Sequence, residues 1–292
     1  MLKSYHMKDS LEILRPKEFP PLLREIPDVP KKLYVRGTLP SFDIKWLAVV
    51  GSRACTSYGR QALRHLVKSL RGYPVVIVSG LAYGIDAEAH KAALEAGLPT
   101  VAVPGSGLDW NVLYPRANVN LAREILKAGG ALLSEFEPNM KATDYTFPQR
   151  NRIMAGLCKA TLVVEAKERS GSLITARLTT EYNRELLVVP GSIFSAESRG
   201  THQFLKLGAT PATEPSDILR ALGIETETRA SAISRTDLSD NERRVLLFIA
   251  SPLPRDELIA ALELPVSEAN ILLSTMEIKE LIREELGIVR AC

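Results

Sequence analysis

Little in this 292-residue chain points to metal or disulfide chemistry. Its three cysteines, Cys55, Cys158 and Cys292, lie far apart and make no C-x-x-C pair. That spacing argues against a disulfide framework or a zinc ribbon and fits a reducing compartment. The four histidines are scattered, with no H-x-x-x-H spacing. No apolar run approaches the ~18 residues that a membrane helix needs. The N-terminal "MLKSYHMKDSLEILRPKEFPPLL" lacks the apolar stretch of a secretory signal. A cytoplasmic protein without metal or cofactor is the expectation.

Charge of one sign is also scarce, at a net +3, but it is unevenly spread. Residues 238–292 hold 6 Lys+Arg against 10 Asp+Glu, whereas the other residues hold 31 against 24. The basic surplus therefore sits in the larger part of the chain, although a surplus of this size does not by itself define a polyanion binder. An apolar fraction of 46% and a charged fraction of 24% are ordinary for a globular protein.

What is present is a repeat of strand and helix signals. The apolar runs "WLAVVGS", "PVVIVSG", "TVAVPGSG", "ALLSE", "ATLVVEA" and "ELLVVPG" alternate with amphipathic stretches such as "YGRQALRHLVKSL" and "NVNLAREILKAG". Valine-rich runs without polar alternation suit strands buried on both faces. Six alternations predict a doubly wound, mostly parallel, Rossmann-like α/β sheet over residues 46–224. Residues 1–45 read as a proline-rich arm, with Leu22, Leu23, Ile26 and Leu33 packing on the body. Residues 225–237 read as a polar linker. Residues 238–292 read as three helices and a hairpin, a winged helix. Its third helix carries Glu268, Glu277 and Glu280 against Lys279, so protein contact is favoured over DNA reading.

The glycine-bearing motifs all follow strands, where ligands gather in such sheets. In "GSRACTSYG", Gly51 allows a sharp turn, Ser52 offers a hydroxyl, and Arg53 offers a two-pronged phosphate donor before a helix N-terminus. A dinucleotide site needs G-x-G-x-x-G here and an acid after the second strand, and neither is present. In "SGLAYGIDAEAH", Gly80 and Gly84 bracket a turn and Asp86 is placed to cap a helix from Ala87, with His90 packed inside. The turn Gly105, Ser106, Gly107 has the composition of an anion nest, and Tyr114-Pro115 looks like a loop anchor. "FPQRNRIMAGLC" sets Phe147, Arg150, Asn151 and Arg152 at a helix start, a pairing of ring and guanidinium that suits a nucleic-acid strand. For Arg152, pinning loops together is an equal reading. Ser170, Gly171 and Ser172 add a further small-residue turn. Asp86, Asp109, Glu135 and Glu165 lie near strand ends without a nucleophile or base at readable spacing, so a binder rather than an enzyme is expected.

In order along the chain, "GSR…YG", "SGLAYGIDAEAH", "VPGSGLD…YP", "FPQRNRIMAGL", "LVVEA…SGSLITA" and "VPGSI…SRGTHQFLKLGA" resemble the bacterial DNA-processing family DprA/Smf. The resemblance covers roughly residues 20–224, and the winged-helix tail is found in many members. It implies a single-stranded-DNA-binding mediator that protects incoming strands in natural transformation, dimerises, and helps load the RecA recombinase. Carried over by position, Ser52, Arg53, the segment Lys141 to Arg152 and the SGS turn correspond to the family's basic DNA pocket. Leu219 and Leu222 on the last helix of the domain are the implied dimer contacts. Many members carry a helical SAM-like domain ahead of the sheet, whereas this chain starts almost directly with the arm, and contacts made there are expected to be missing. The family's late G-T-N is here "GTHQ", with His202 in the third position. The alternative reading is a nucleotide-binding enzyme of the nucleoside-monophosphate phosphoribohydrolase type, whose P-G-G-x-G-T-x-x-E signature this chain lacks.

Overall fold

The structure, a computed structural model, describes residues 10–225, 238–249, 252–279, 281–285 and 287–291. The first nine residues and most of the expected linker, 226–237, lie outside the described residues, as does Cys292. Contacts divide the chain into two compact units, Met1–Ile224 and Glu225–Cys292.

The first unit is built on β3 (Lys45–Val50), whose side chains alternate between two cores. Leu47 and Val49 enter one core with Leu63, Leu66, Ile77 and Ile85. Ala48 and Val50 enter the other with Val78, Ile153, Met154 and Leu173. Burial on both faces is what the unalternating apolar runs require. From β3 the chain winds through α2 (Ser57–Lys68), β4 (Val75–Ser79), α3 (Ile85–Ala96), β5 (Thr100–Ala102), α4 (Val119–Lys127) and β6 (Ala131–Ser134). It then returns through α5 (Thr146–Leu157) to β7 (Ala160–Val163) on the other side of β3, followed by α6 (Ser172–Glu181), β8 (Glu185–Val188), α7 (Arg199–Lys206), β9 (Thr210–Pro211) and α8 (Pro215–Ala221). All strand pairs from β6 through β3 to β9 are parallel. The winding direction reverses at β3, so the loops leaving β3 and β7 diverge and leave a crevice.

The proline-rich segment does more than lie on the surface. It supplies β1 (Leu11–Leu14) and β2 (Leu33–Gly37), which extend the sheet antiparallel beyond β6 to give nine strands. Between them α1 (Pro21–Arg24) lays Leu23 and Ile26 against α5 at Gly156, where any side chain would collide with both. The short strand length and the interrupting prolines hid this pairing from the sequence pattern.

The second unit has α9 (Asp240–Phe248), β10 (Leu253–Pro254), α10 (Arg255–Leu262), α11 (Val266–Ile278), β11 (Ile282–Glu285) and β12 (Ile288–Ala291). Its three strands form an antiparallel sheet in the order β10-β12-β11. Val245, Leu258, Leu262, Ala269, Leu273, Met276 and Val289 give it a core of its own. Three helices with a hairpin wing match the expected winged helix. No single helix among the described residues is long and apolar enough to cross a membrane.

Both tryptophans, Trp46 and Trp110, lie in the first unit, so their fluorescence reports on it alone. Leu47 is fully buried on the central strand. Leu47→Ala should lower the urea unfolding free energy read by that fluorescence by ~2–5 kcal/mol. A change below 1 kcal/mol, on the order of a surface substitution, would place the core elsewhere.

Candidate nucleic-acid interface

A cavity of about 490 Å³ opens at the reversal point, beyond the carboxyl ends of β3 and β7. One wall is the turn Gly51–Ala54, the second is the start of α5 at Phe147, Pro148, Arg150 and Asn151, and the third is the turn Lys167–Ser172 leading into α6. Asp86 and Thr175 also line it.

Backbone packing shapes the first wall. A side chain at Gly51 would strike Ile85, and one at Gly84 (φ +71°) would strike the carbonyls of Ser52 and Arg53. The two loops therefore meet backbone to backbone, sealed by Ile85 N–H donating to Ser52 O at 3.1 Å. Behind them Thr56 caps α2 by accepting from Gly59 N–H, while its own N–H and hydroxyl donate to the buried Glu165 carboxylate at 2.8 and 2.6 Å. Ser52 differs from expectation. Its hydroxyl is mostly buried and donates to Glu197 at 2.9 Å, and Glu197 in turn pairs with Lys167 at 3.1 Å. Arg53 is exposed, with its guanidinium 5.1 Å from the centre of the Phe147 ring.

Arg150 is only 5% exposed. Its guanidinium packs where Gly80 leaves no side chain, and it donates to the carbonyl of Val103. Among the described residues no carboxylate comes within ion-pair distance of it, and its buried Nε has no partner. Burial pushes its pKa down to about 10, an effect that Asp86 opposes and the nearby Arg53 reinforces. Asp86 does not cap its helix. Gly84 holds the N-cap position, and Asp86 is buried inside the first turn, its pKa raised by burial against the pull of Arg150. The hydroxyl of Thr175, 1% exposed, is also unpartnered. The ten-residue α6 begins after Gly171, and its first N–H groups are taken within the turn, Ser172 by the Ser170 hydroxyl at 3.4 Å, Leu173 by Ser170 O at 3.1 Å and Ile174 by Gly171 O at 3.2 Å. It therefore offers the cavity its dipole. Ser170 and Ser172 pair hydroxyl to hydroxyl at 2.7 Å, and the Asn151 amide donates to Gly171 O at 3.3 Å, tying α5 to this turn.

Other expected residues are placed elsewhere. Arg152 turns away from the cavity, where Glu135 and Asp28 (3.1 Å) hold it. Lys141 is exposed and outside the cavity walls. The third turn is closed rather than a nest. Gly105 lies under the Phe147 ring, Gly107 is pressed on the carbonyls of Glu137 and Pro138, and the buried Ser106 hydroxyl accepts from Tyr114 N–H and donates to Gly107 O. Leu219 and Leu222 are buried in the core beneath α8, which leaves them no surface for a partner. His90 is buried as expected, its ring hydrogen-bonded to Thr100. Sequence reasoning missed Lys167 and Arg169, two cations just ahead of the SGS turn in "AKERSGS". Their signal was their place between a strand end and a helix start.

Fold and cavity define a doubly wound α/β protein with a basic cavity at its reversal point, followed by a winged helix. Residues 11–223 match the family model of DNA recombination-mediator protein A, and residues 226–287 match the DprA winged helix domain. The chain belongs to that DNA recombination-mediator family. It is 47% identical over 204 residues to protein Smf of Escherichia coli, covering 70% of this chain and 54% of that one, about half its length. It is 44% identical over 197 residues to DNA processing protein DprA of Streptococcus pneumoniae, covering 68% of each. The X-ray structure of the Streptococcus pneumoniae protein superposes with a TM-score of 0.66 at 39% identity, over 73% of this chain and 75% of that one. DNA processing protein A of Helicobacter pylori, solved for its single-stranded DNA binding mode, gives 0.64 at 28% identity, over 76% and 98%.

Arg150 and Arg152 are separable by substitution. Arg152→Ala leaves Glu135 buried without its partner and should cost ~3 kcal/mol of stability at neutral pH. The Glu135 pKa is already raised, chiefly by burial and against the pull of Arg152. Without Arg152 it rises further, so the folded variant takes up a proton at higher pH than the parent. Its deficit is then largest at neutral pH and shrinks as acid protonates Glu135. Thermal unfolding of both proteins from pH 7 to 4 measures this, and a deficit that grows in acid refutes it.

Proposed function

We propose that the cavity holds the backbone of single-stranded DNA and that the chain acts as a recombination mediator on that strand. The observation that carries the reading is Arg150, a buried guanidinium facing the cavity with no carboxylate within ion-pair distance among the described residues. A phosphate supplies the missing charge, with the positive end of the α6 dipole and the Thr175 hydroxyl lining the same cavity. Arg53, Lys167 and Arg169 at the rim carry the flanking phosphates, with Ser52 and Glu197 bracing Lys167. When Arg53 turns from the Phe147 ring to a phosphate, it frees that face for an unstacked base. Phosphates and ring faces recur at every nucleotide, so binding is tolerant of sequence.

In the cell this strand is incoming DNA of natural transformation, which the protein protects as a homodimer and passes to RecA. Membership of a recombination-mediator family supports the recombination role, and the Helicobacter pylori relative supports a single strand as the ligand. The winged helix serves a protein partner. Its α11 carries no Lys or Arg and exposes Val266, Glu268 and Ile271, while Lys279 is held by Glu242 at 2.6 Å.

Arg53→Ala removes one phosphate contact. Its affinity for an oligothymidylate should fall several-fold, and the slope of log K against log salt should flatten by ~0.7. Fluorescence anisotropy titrations at several salt concentrations measure both. An unchanged slope, or equal affinity of the parent for single and double strands of one length, is incompatible with the assignment.

A further inference from the structure

The loop joining β5 to α4 contains "LDWNVLYPR", and its closed glycine turn fixes where these side chains stand. Ser106 holds the Tyr114 backbone, and Gly105 lets the Phe147 ring lie on the turn. Tyr114 is 41% exposed, and its ring centre is 5.8 Å from that of Phe147, the ring beneath Arg53. Two residues on, the exposed Arg116 donates to the carbonyl of Trp110. The Trp110 ring in turn lies 5.1 Å from the guanidinium of the exposed Arg123 on α4, with Arg36 at 5.0 Å. Cations and rings therefore form one row from the cavity mouth outward: Arg53, the adjacent rings Phe147 and Tyr114, then Arg116, Trp110 and Arg123.

The acids of this region do not neutralise that row. Asp109 pairs with Arg36 at 3.9 Å, and Glu137 takes Lys32 and Tyr34. Arg116 bonds only a carbonyl and Arg123 only the Asn120 side chain, at 3.4 Å, so neither is in an ion pair among the described residues. Each guanidinium has five donors, and one bond leaves most of them open to an anion. Glu124, exposed beside Arg123, is the one acid of α4.

We propose that this loop is a second contact for the same strand, carrying it from the cavity mouth past Tyr114 to Arg116 and Arg123. The proposal rests on single-stranded nucleic acid occupying the cavity. Tyr114 stacks a base, Arg116 and Arg123 hold phosphates, and the half-buried Trp110 orients both arginines, Arg116 through its carbonyl and Arg123 through its ring.

The test compares a ~5-nucleotide with a ~20-nucleotide oligothymidylate, lengths that bracket short and long single-strand sites. Arg116→Ala/Arg123→Ala in the full chain should weaken the long oligonucleotide ~10-fold and flatten its salt slope by ~1.4, two contacts' worth. The short one, which the cavity alone accommodates, should bind as in the parent. Arg116→Lys/Arg123→Lys should retain most of the long-strand affinity, which shows that charge and not folding was lost. Unchanged binding of the long strand by the alanine pair overturns the proposal, and so does an equal loss for both lengths. Arg53→Ala is the separate control for the cavity. If it weakens neither length, the primary site is wrong; if it weakens both while the alanine pair weakens neither, only the second contact falls.

Discussion

Burying a guanidinium costs several kcal/mol unless opposite charge or good acceptors replace its water. Arg150 bears that cost at the reversal point of the sheet, and much of the surrounding sequence follows from it. Gly80 must lack a side chain because the guanidinium fills its place. The Val103 carbonyl takes one donor, and Asp86 sits in the first turn of α3 at a distance that softens the charge without cancelling it. With a pKa of about 10 the group remains protonated at neutral pH. A second cation, Arg53, stands close enough to lower that value further rather than relieve it. Two like charges held together beside the positive end of a helix dipole favour an anion in this cavity.

The same constraint separates what could be read in the sequence from what could not. Strands β3 to β8 and the helices between them were legible because burial on both faces leaves continuous valine-rich runs with glycine at their ends. The cavity's Arg53 was legible because it follows such an end, and Phe147 and Arg150 because a ring and guanidiniums meet at a helix start in "FPQRNR". Four details depended on partners distant in sequence. Arg150 and Arg152 look alike in "FPQRNR", yet one faces Asp86 and the other Glu135 and Asp28. Asp86 looks like a cap until Gly84 is seen to occupy that position. Ser52 looks like an anion donor until Glu197, far along the chain, claims its hydroxyl. Gly105, Ser106 and Gly107 have the composition of a nest, but their glycines admit a ring and two carbonyls instead. Composition fixes where the chain can turn; which group fills the space beside the turn is decided by tertiary packing.

Charge is partitioned between the two units along the same lines. The first holds its cations at strand ends, around a cavity. In the second, the helix that would enter a groove in a DNA-reading winged helix has no Lys or Arg. Its arginines are used internally, as where Arg255 binds Glu284 and Asn270. Among the side chains the groove-type helix leaves outside are Val266 and Ile271, at 63% and 68% exposure, beside Ser267, Glu268, Ser274 and Thr275. A face with one acid and no cation repels a phosphate backbone, which is the ground for the proposed protein partner.

A closed turn can still serve binding by what it presents. The third glycine turn spends its own hydrogen bonds internally, and this makes it rigid enough to fix Tyr114 beside Phe147. An open nest would hold one phosphate; a rigid turn with rings and guanidiniums projecting from it holds a direction. Single strands lack the fixed spacing of a duplex, so a protein that is to keep one extended must supply that spacing itself. On the proposed path, rings and cations along a rigid edge do this with two recurring contacts, base face and phosphate. The order Arg53, Phe147, Tyr114, Arg116 lies along the carboxyl edge of the sheet, where the parallel strands stop and their loops are free to vary without disturbing the core.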